Sequence, residues 1–295
     1  MKIEEQTLFF TGGTSGIGML AVTDLAAKGA RIIVACRSEA KGEALRAYYE
    51  EKSPNGKGRI ETVQCDLASF ASIASACSEI KSKYDTLDVI FHNAGIMNFN
   101  RKTTVDGIEE TLQVNLLAPV LISHLLVGLI DQSPAARLIF TSSGLHQGAI
   151  DFDDLEFEKR KFSSFKVYRQ SKLGVILLCR LLAKQLADQN IGVYNVHPGV
   201  LRTDLGRDAG WFSRFVFRMM GKPPELGARK LVYMVETPKD KLVSGEYYAD
   251  RVVTKITNES YDLDVASKLL ETAKQYLSNY IAEPSLIFNA NEKAV

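Results

Sequence analysis

A short apolar run, Thr7-Leu8-Phe9-Phe10, leads directly into Thr11-Gly12-Gly13-Thr14-Ser15-Gly16-Ile17-Gly18 and then into a helical pattern. A glycine-rich turn between a strand and a helix lets the backbone bend tightly and approach a ligand closely. The helix after the turn offers free N–H groups and the positive end of its dipole, a setting suited to a dinucleotide pyrophosphate. A chain carrying this unit is committed to a β-α-β arrangement.

The remaining sequence keeps the alternation. The first helix ends at Lys28-Gly29, with glycine in the C-cap role. Strand patterns follow at 31–36, 60–65, 87–91, 137–141, 191–196 and 245–249. Helical patterns lie at 39–52, 70–84, 168–189 and 263–280, with two more helices expected in 106–130. Strands alternating with helices and apolar on both faces predict an α/β fold with a parallel sheet covered on two sides. The expected architecture is a single doubly wound domain over residues 1–281 with a seven-stranded parallel sheet. Residues 282–295 lose periodicity and are expected to form a surface tail.

Composition narrows the function classes. Basic and acidic residues nearly balance, 36 against 35, so no basic face points to nucleic acid. Cys36, Cys65, Cys77 and Cys179 show no C-x-x-C spacing, and His92, His124, His146 and His197 are far apart. These point to a reducing compartment and no structural metal. Asn258-Glu259-Ser260 matches a glycosylation sequon and, with no secretory signal read before the first strand, is expected to be a chance match. The most apolar stretch, 116–130, reads as a buried helix too short to span a bilayer and broken by Pro119, Ser123 and His124. A cytoplasmic protein is expected.

Tyr168 and Lys172 bring proton chemistry. A free phenol has a pKa of about 10 and exchanges protons poorly near neutrality. Four residues apart on a helix, the lysine shares a face with the tyrosine, and its ammonium is expected to favour the phenolate.

Taken together, Thr11-Gly12-x-x-x-Gly16-Ile17-Gly18, Asn93-Ala94-Gly95, Asn115, Ser142-Ser143, Tyr168-x-x-x-Lys172 and Pro198-Gly199 resemble the short-chain dehydrogenase/reductase family. The likeness runs from about Thr7 to Tyr280. Ala35-Cys36-Arg37, Cys65-Asp66-Leu67, residues 142–155 and Gln170-Ser171-Lys172-Leu173 resemble its retinol-dehydrogenase-like branch. The resemblance implies a Rossmann-type fold. Tyr168 would exchange the proton, Ser143 would orient the substrate oxygen, Lys172 would reach the cofactor ribose, and Asn115 would hold a relay water. For the cofactor it implies Gly12, Thr14, Ser15, Gly16, Ile17 and Gly18 at the pyrophosphate, with Asp66 and Leu67 at the adenine. Asn93, Ala94 and Gly95 would flank the adenosine ribose, and Pro198, Gly199, Val200 and Thr203 the nicotinamide end. It also implies a homodimer through the helices at 118–130 and 168–186. His92 replaces the asparagine of many relatives and is expected to pack under the cofactor. Structural alternatives stand beside these roles: Ser143 as a turn residue, Asn115 as the pin of a helix kink, Tyr168 as core, Asp66 as a helix cap.

Charge bears on which dinucleotide is bound. The second strand ends at Cys36, where an acidic residue would otherwise receive a ribose 2′-hydroxyl, and Arg37 and Ser38 follow. An arginine fork suits a 2′-phosphate, so NADP(H) is expected, with Arg37 its main reader. After Thr203, Trp211, Phe212, Phe215, Val216, Phe217, Met219 and Met220 alternate with Arg207, Arg214, Arg218 and Lys222. Three readings fit that stretch: a lid over a large apolar substrate, a peripheral membrane contact, or core. His146, Gln147 and Trp211 are candidates to border the pocket. The sequence thus predicts an NADP(H)-dependent oxidoreductase interconverting a carbonyl and an alcohol on a small lipophilic substrate; reduction is expected as the physiological direction only because cytosolic NADP pools are usually kept reduced. Candidate substrates are a retinoid, a steroid, or a long-chain or aromatic aldehyde or ketone. A double-bond reductase and a nucleotide-sensing binding protein of the same fold are the competing readings.

Overall fold

Leu8 and Phe10 point to one side of the first strand and Phe9 to the other, and all three are fully buried. A strand apolar on both faces needs a layer of helices on each, and the computed structural model supplies them. It describes residues 1–130, 133–199, 223–281 and 284–288. The strands are β1 (Thr7–Thr11), β2 (Arg31–Cys36), β3 (Arg59–Gln64), β4 (Val89–His92), β5 (Arg137–Thr141), β6 (Gly192–His197), β7 (Tyr247–Ala249) and β8 (Val252–Val253). They form one sheet in the order β3-β2-β1-β4-β5-β6-β7-β8, parallel throughout except for the antiparallel β7–β8 pair. The expected seven strands become eight because the chain folds back at Asp250 and Arg251, both at positive φ, and adds a two-residue edge strand. Two residues are too few for a recognisable period.

Helices α1 (Gly16–Ala27) and α2 (Glu39–Lys52) cover one face with α6 (Pro224–Glu236), a helix the sequence reading did not assign. On the other face lie α3 (Phe70–Lys83), α4 (Glu110–Leu129), α5 (Ser164–Gln185) and α7 (Leu263–Tyr276). Strand order reverses between β1 and β4, and a doubly wound sheet opens its ligand crevice at that switch, beyond the carboxyl ends of the strands.

The two helices expected in 106–130 are one run, α4, interrupted by a π-turn at Gln113–Leu117. At 20 residues α4 is long and apolar enough to cross a membrane, contrary to the sequence reading, but most of it is buried inside the protein. Every residue of α5 from Gln170 to Cys179 is buried. Leu269 of α7 packs at Gly174, so α7 covers a face that the homodimer expectation left open. The expected surface tail is corrected in part as well. Ile287 and Phe288 are buried in the core, and Ser285 meets His124 of α4 at 2.8 Å.

Candidate active site

The turn after β1 is shaped first by the protein's own packing. Gly12 is at φ +68°, and a Cβ there would stand 2.7 Å from the Ala94 backbone; at Gly18 it would stand 2.0 Å from the Gly12 carbonyl oxygen. These two glycines let α1 and the loop after β4 close onto β1. Gly16 differs: it is at φ +54°, with open space where its Cβ would be. No side chain caps the N-terminus of α1, and Thr14, Ser15 and Gly16 retain exposure there. Free N–H groups at an open helix start form a cradle that fits a pyrophosphate.

Asn93 pins the strand ends beneath this cradle. Its Nδ2 donates to the Gly12 carbonyl at 3.1 Å, and its Oδ1 accepts from the Thr141 hydroxyl at 3.2 Å. Thr11 Oγ1 accepts the backbone N–H groups of Asn93 and Ala94, each at 3.1 Å. The Asn93 side chain is thereby committed to joining β1, β4 and β5. His92 is buried, 2.8 Å from the Ser123 hydroxyl and stacked on Phe140, and burial holds its pKa down to about 3. It packs and does not titrate near neutrality.

At the adenosine end, Arg37 is exposed and Ser38 half-buried at the start of α2, just past Cys36. Asp66 and Leu67 are half-buried at the end of β3. Asp66 accepts the Ala68 N–H at 3.1 Å, while the α3 cap is Ser69, which accepts from Ser72. Pro198 is buried, and Gly199 is at φ +100°, with Lys230 Nζ 3.0 Å from where its Cβ would be. Val200, Thr203 and the 211–220 stretch lie outside the described residues.

The four residues expected to carry the chemistry converge at the carboxyl ends of β4 and β5. Tyr168 and Lys172 are buried on α5, with Lys172 Nζ 5.8 Å from the Tyr168 ring centroid. The Ser143 hydroxyl lies beside the Tyr168 phenol, near enough to draw its pKa down. Asn115 sits in the π-turn, where Oδ1 accepts the Ile96 N–H at 2.8 Å and Nδ2 donates to the Ile96 carbonyl at 2.9 Å. Nδ2 also reaches Ser171 Oγ at 3.0 Å, and that hydroxyl bonds the Tyr168 carbonyl. Asn115 therefore does pin a helix irregularity, as its structural alternative proposed, and the same bonds bring it to the start of α5. Gly95 makes room for the group: a Cβ there would lie 3.2 Å from Lys172 Nζ and 3.5 Å from Asn115 Oδ1.

The electrostatics depart from the sequence reading in one respect. Burial raises the Tyr168 pKa above the usual phenol value, and the neighbouring Ser143 hydroxyl opposes it. The Lys172 ammonium, 5.8 Å from the Tyr168 ring centroid, donates to the Thr141 carbonyl at 2.9 Å. Burial also brings Lys172 itself down to about 8. A phenol held protonated at neutrality beside a serine hydroxyl is set to donate a proton.

Sequence reasoning missed part of the surround. Tyr247 on β7 packs between His146 and His197, with ring centroids 5.5 and 6.2 Å away, and burial together with the nearby Tyr168 raises its pKa. Gln147, a candidate to border the pocket, is exposed and donates to the Gly144 carbonyl at 2.7 Å.

Comparison with known proteins decides the family. The short chain dehydrogenase family model matches residues 6–210. The chain belongs to the short-chain dehydrogenase family. Human retinol dehydrogenase 14 is 34% identical over 287 residues, spanning 91% of this chain and 85% of that protein. Human polyprenol dehydrogenase is 31% identical over 276 residues, covering 90% and 83% respectively. A crystal structure of a protein from Mycobacterium paratuberculosis superposes with a TM-score of 0.76 at 26% identity, covering 94% of this chain and 95% of that one. This short-chain dehydrogenase is of the retinol-dehydrogenase-like kind: an oxidoreductase of alcohol and carbonyl groups on a fold that binds a nicotinamide cofactor.

Proposed function

We propose that the protein is an NADP(H)-dependent carbonyl reductase and alcohol dehydrogenase for a lipophilic substrate, with Tyr168 as proton donor and acceptor. The observation that carries this reading is the convergence of buried Tyr168, Lys172 and Asn115 with Ser143 at the carboxyl ends of β4 and β5. When bound, a nicotinamide dinucleotide supplies or takes up a hydride at the substrate carbon. The N-terminus of α1 at Thr14, Ser15 and Gly16 would hold its pyrophosphate, and Lys172 would meet its ribose. Ser143 orients the substrate oxygen and leaves it facing the Tyr168 hydroxyl, which protonates it in the reductive direction. Asn115 and Lys172, brought together around Gly95, lead the proton onward through water.

The 2′-phosphate preference rests on Arg37, exposed just past β2 where Cys36 leaves no carboxylate to receive a ribose hydroxyl. The apolar substrate class is supported by the names of the relatives, a retinol and a polyprenol dehydrogenase, and by the aromatic and methionine content of 211–220. NADPH consumption across aldehydes, ketosteroids and retinoids tests the proposal. Turnover with an apolar carbonyl, abolished by Tyr168→Phe while NADPH still binds, is the expected result; turnover retained by Tyr168→Phe would overturn the assigned role.

A further inference from the structure

Ser143 must present its hydroxyl at one place, yet it stands one residue past the last anchored position of the sheet. Ser142 is fixed to β6, with its N–H bonded to the Val196 carbonyl at 2.9 Å. The chain then leaves the sheet, and two bonds define the turn. The Leu145 N–H donates to Ser143 Oγ at 3.1 Å, occupying one lone pair of the hydroxyl that lies beside the Tyr168 phenol. The second bond joins His146 Nδ1 to the Ser143 carbonyl oxygen at 2.8 Å. A carbonyl only accepts, so Nδ1 is the donor in this bond.

His146 is itself held in place. It is 6% exposed, its ring packs on Tyr247, and Nε2 is buried without a hydrogen-bond partner. Tyr247 is buried in turn and stacks on His197 at the end of β6. The imidazole is thus wedged between β7 and the turn, with one polar atom engaged and its single bond directed at the Ser143 peptide. A buried ring that leaves a nitrogen unsatisfied is an expensive way to fill space, and an apolar side chain would do so without that penalty.

We propose that His146 is a positioning residue for Ser143: through its Nδ1–H bond to the Ser143 carbonyl, backed by Tyr247, it sets where the Ser143 hydroxyl meets the substrate oxygen. The inference rests on the reading of Ser143 and Tyr168 given above. His146 touches no reacting atom in this role and acts through Ser143 alone.

The test uses the full chain with NADPH and either all-trans-retinal or nonanal as probe. Asparagine places a donor where Nδ1 stands, whereas glutamine places it one bond further out. His146→Gln should lower kcat about a hundredfold, the scale of an ångström-sized misplacement, with NADPH affinity unchanged. His146→Asn should restore most of that loss. In the double variant Ser143→Ala/His146→Gln, kcat should fall no further than with Ser143→Ala alone. Losses that multiply, or His146→Asn and His146→Gln equally impaired, would make His146 a packing residue and overturn the proposal.

A readout without substrate keeps the test open. The ultraviolet titration of Tyr168, isolated by difference from Tyr168→Phe, should move upward with His146→Gln as it does with Ser143→Ala. No movement with His146→Gln overturns the inference. Full turnover in Ser143→Ala would instead overturn the reading beneath it, so the two failures are distinguishable.

Discussion

The Lys172 ammonium donates to the Thr141 carbonyl at 2.9 Å and stands 5.8 Å from the centre of the Tyr168 ring. It is anchored to the end of β5, with burial bringing its pKa down to about 8. The charged form is therefore present below that pH and lost above it. If the ammonium is what meets the cofactor ribose, kcat/KM for carbonyl reduction should hold steady from pH 6 and fall as pH rises through about 8. Lys172→Arg keeps a charge to far higher pH and should remove the falling limb, even at reduced overall rate. A limb that persists unchanged in Lys172→Arg belongs to another group.

The same depression has a consequence for stability. Lys172 titrates near 10.5 when unfolded and near 8 when folded, so between those values the unfolded chain binds more protons. Stability from this group should rise with pH across that window and stay at its low plateau below it. At neutral pH the buried ammonium costs roughly 3 kcal/mol, and replacing it also loses a bond to Thr141 of about 1 kcal/mol. Lys172→Met should therefore be more stable at pH 7, with Tm higher by about 2–6 °C, while carbonyl reduction disappears. A lower Tm in calorimetry would show that the bond to Thr141 outweighs the desolvation of the charge.

Arg37 tests the cofactor reading separately from the chemistry. It is exposed, so its replacement should leave folding intact. Arg37→Asp exchanges a partner of the 2′-phosphate for a repelling charge and supplies an acceptor for a 2′-hydroxyl. The ratio of kcat/KM with NADPH to that with NADH should fall about a hundredfold, the worth of one or two charge-assisted hydrogen bonds. An unchanged ratio would remove Arg37 from the cofactor site.

Features local along the chain were legible in its sequence. The edges of β2, β5 and α2 coincide with the expected ones, and Gly29, at φ +112°, ends α1 as its position after Lys28 suggested. What could not be read is what the sheet assembles from distant segments. The bonds that fix Asn115 come from Ile96 and Ser171, on either side of it in sequence and in different elements. Tyr247 reaches His146 only because β5, β6 and β7 end side by side. Helical spacing gives Tyr168 and Lys172 a shared face but says nothing of the Thr141 carbonyl that accepts from the ammonium. Residues 284–288 show no period because single contacts hold them, and no regular face is presented.

Those contacts bear on assembly. Phe288 is buried against His124 of α4, with ring centroids 5.3 Å apart, and Ser285 Oγ accepts the Ile287 and Phe288 N–H groups at 3.2 and 3.0 Å. Together with α7 along α5, this segment covers part of the surface of the two helices through which a homodimer was expected. A dimer through α4 and α5 would have to displace it, giving up aromatic burial for an interface of similar composition. The full chain should therefore run as a monomer in light scattering at micromolar concentration. Phe288→Ala should lower stability by about 3 kcal/mol, and by uncovering α4 should make any self-association increase with concentration. A stable dimer in the unaltered chain, insensitive to Phe288→Ala, would place the interface elsewhere on the molecule.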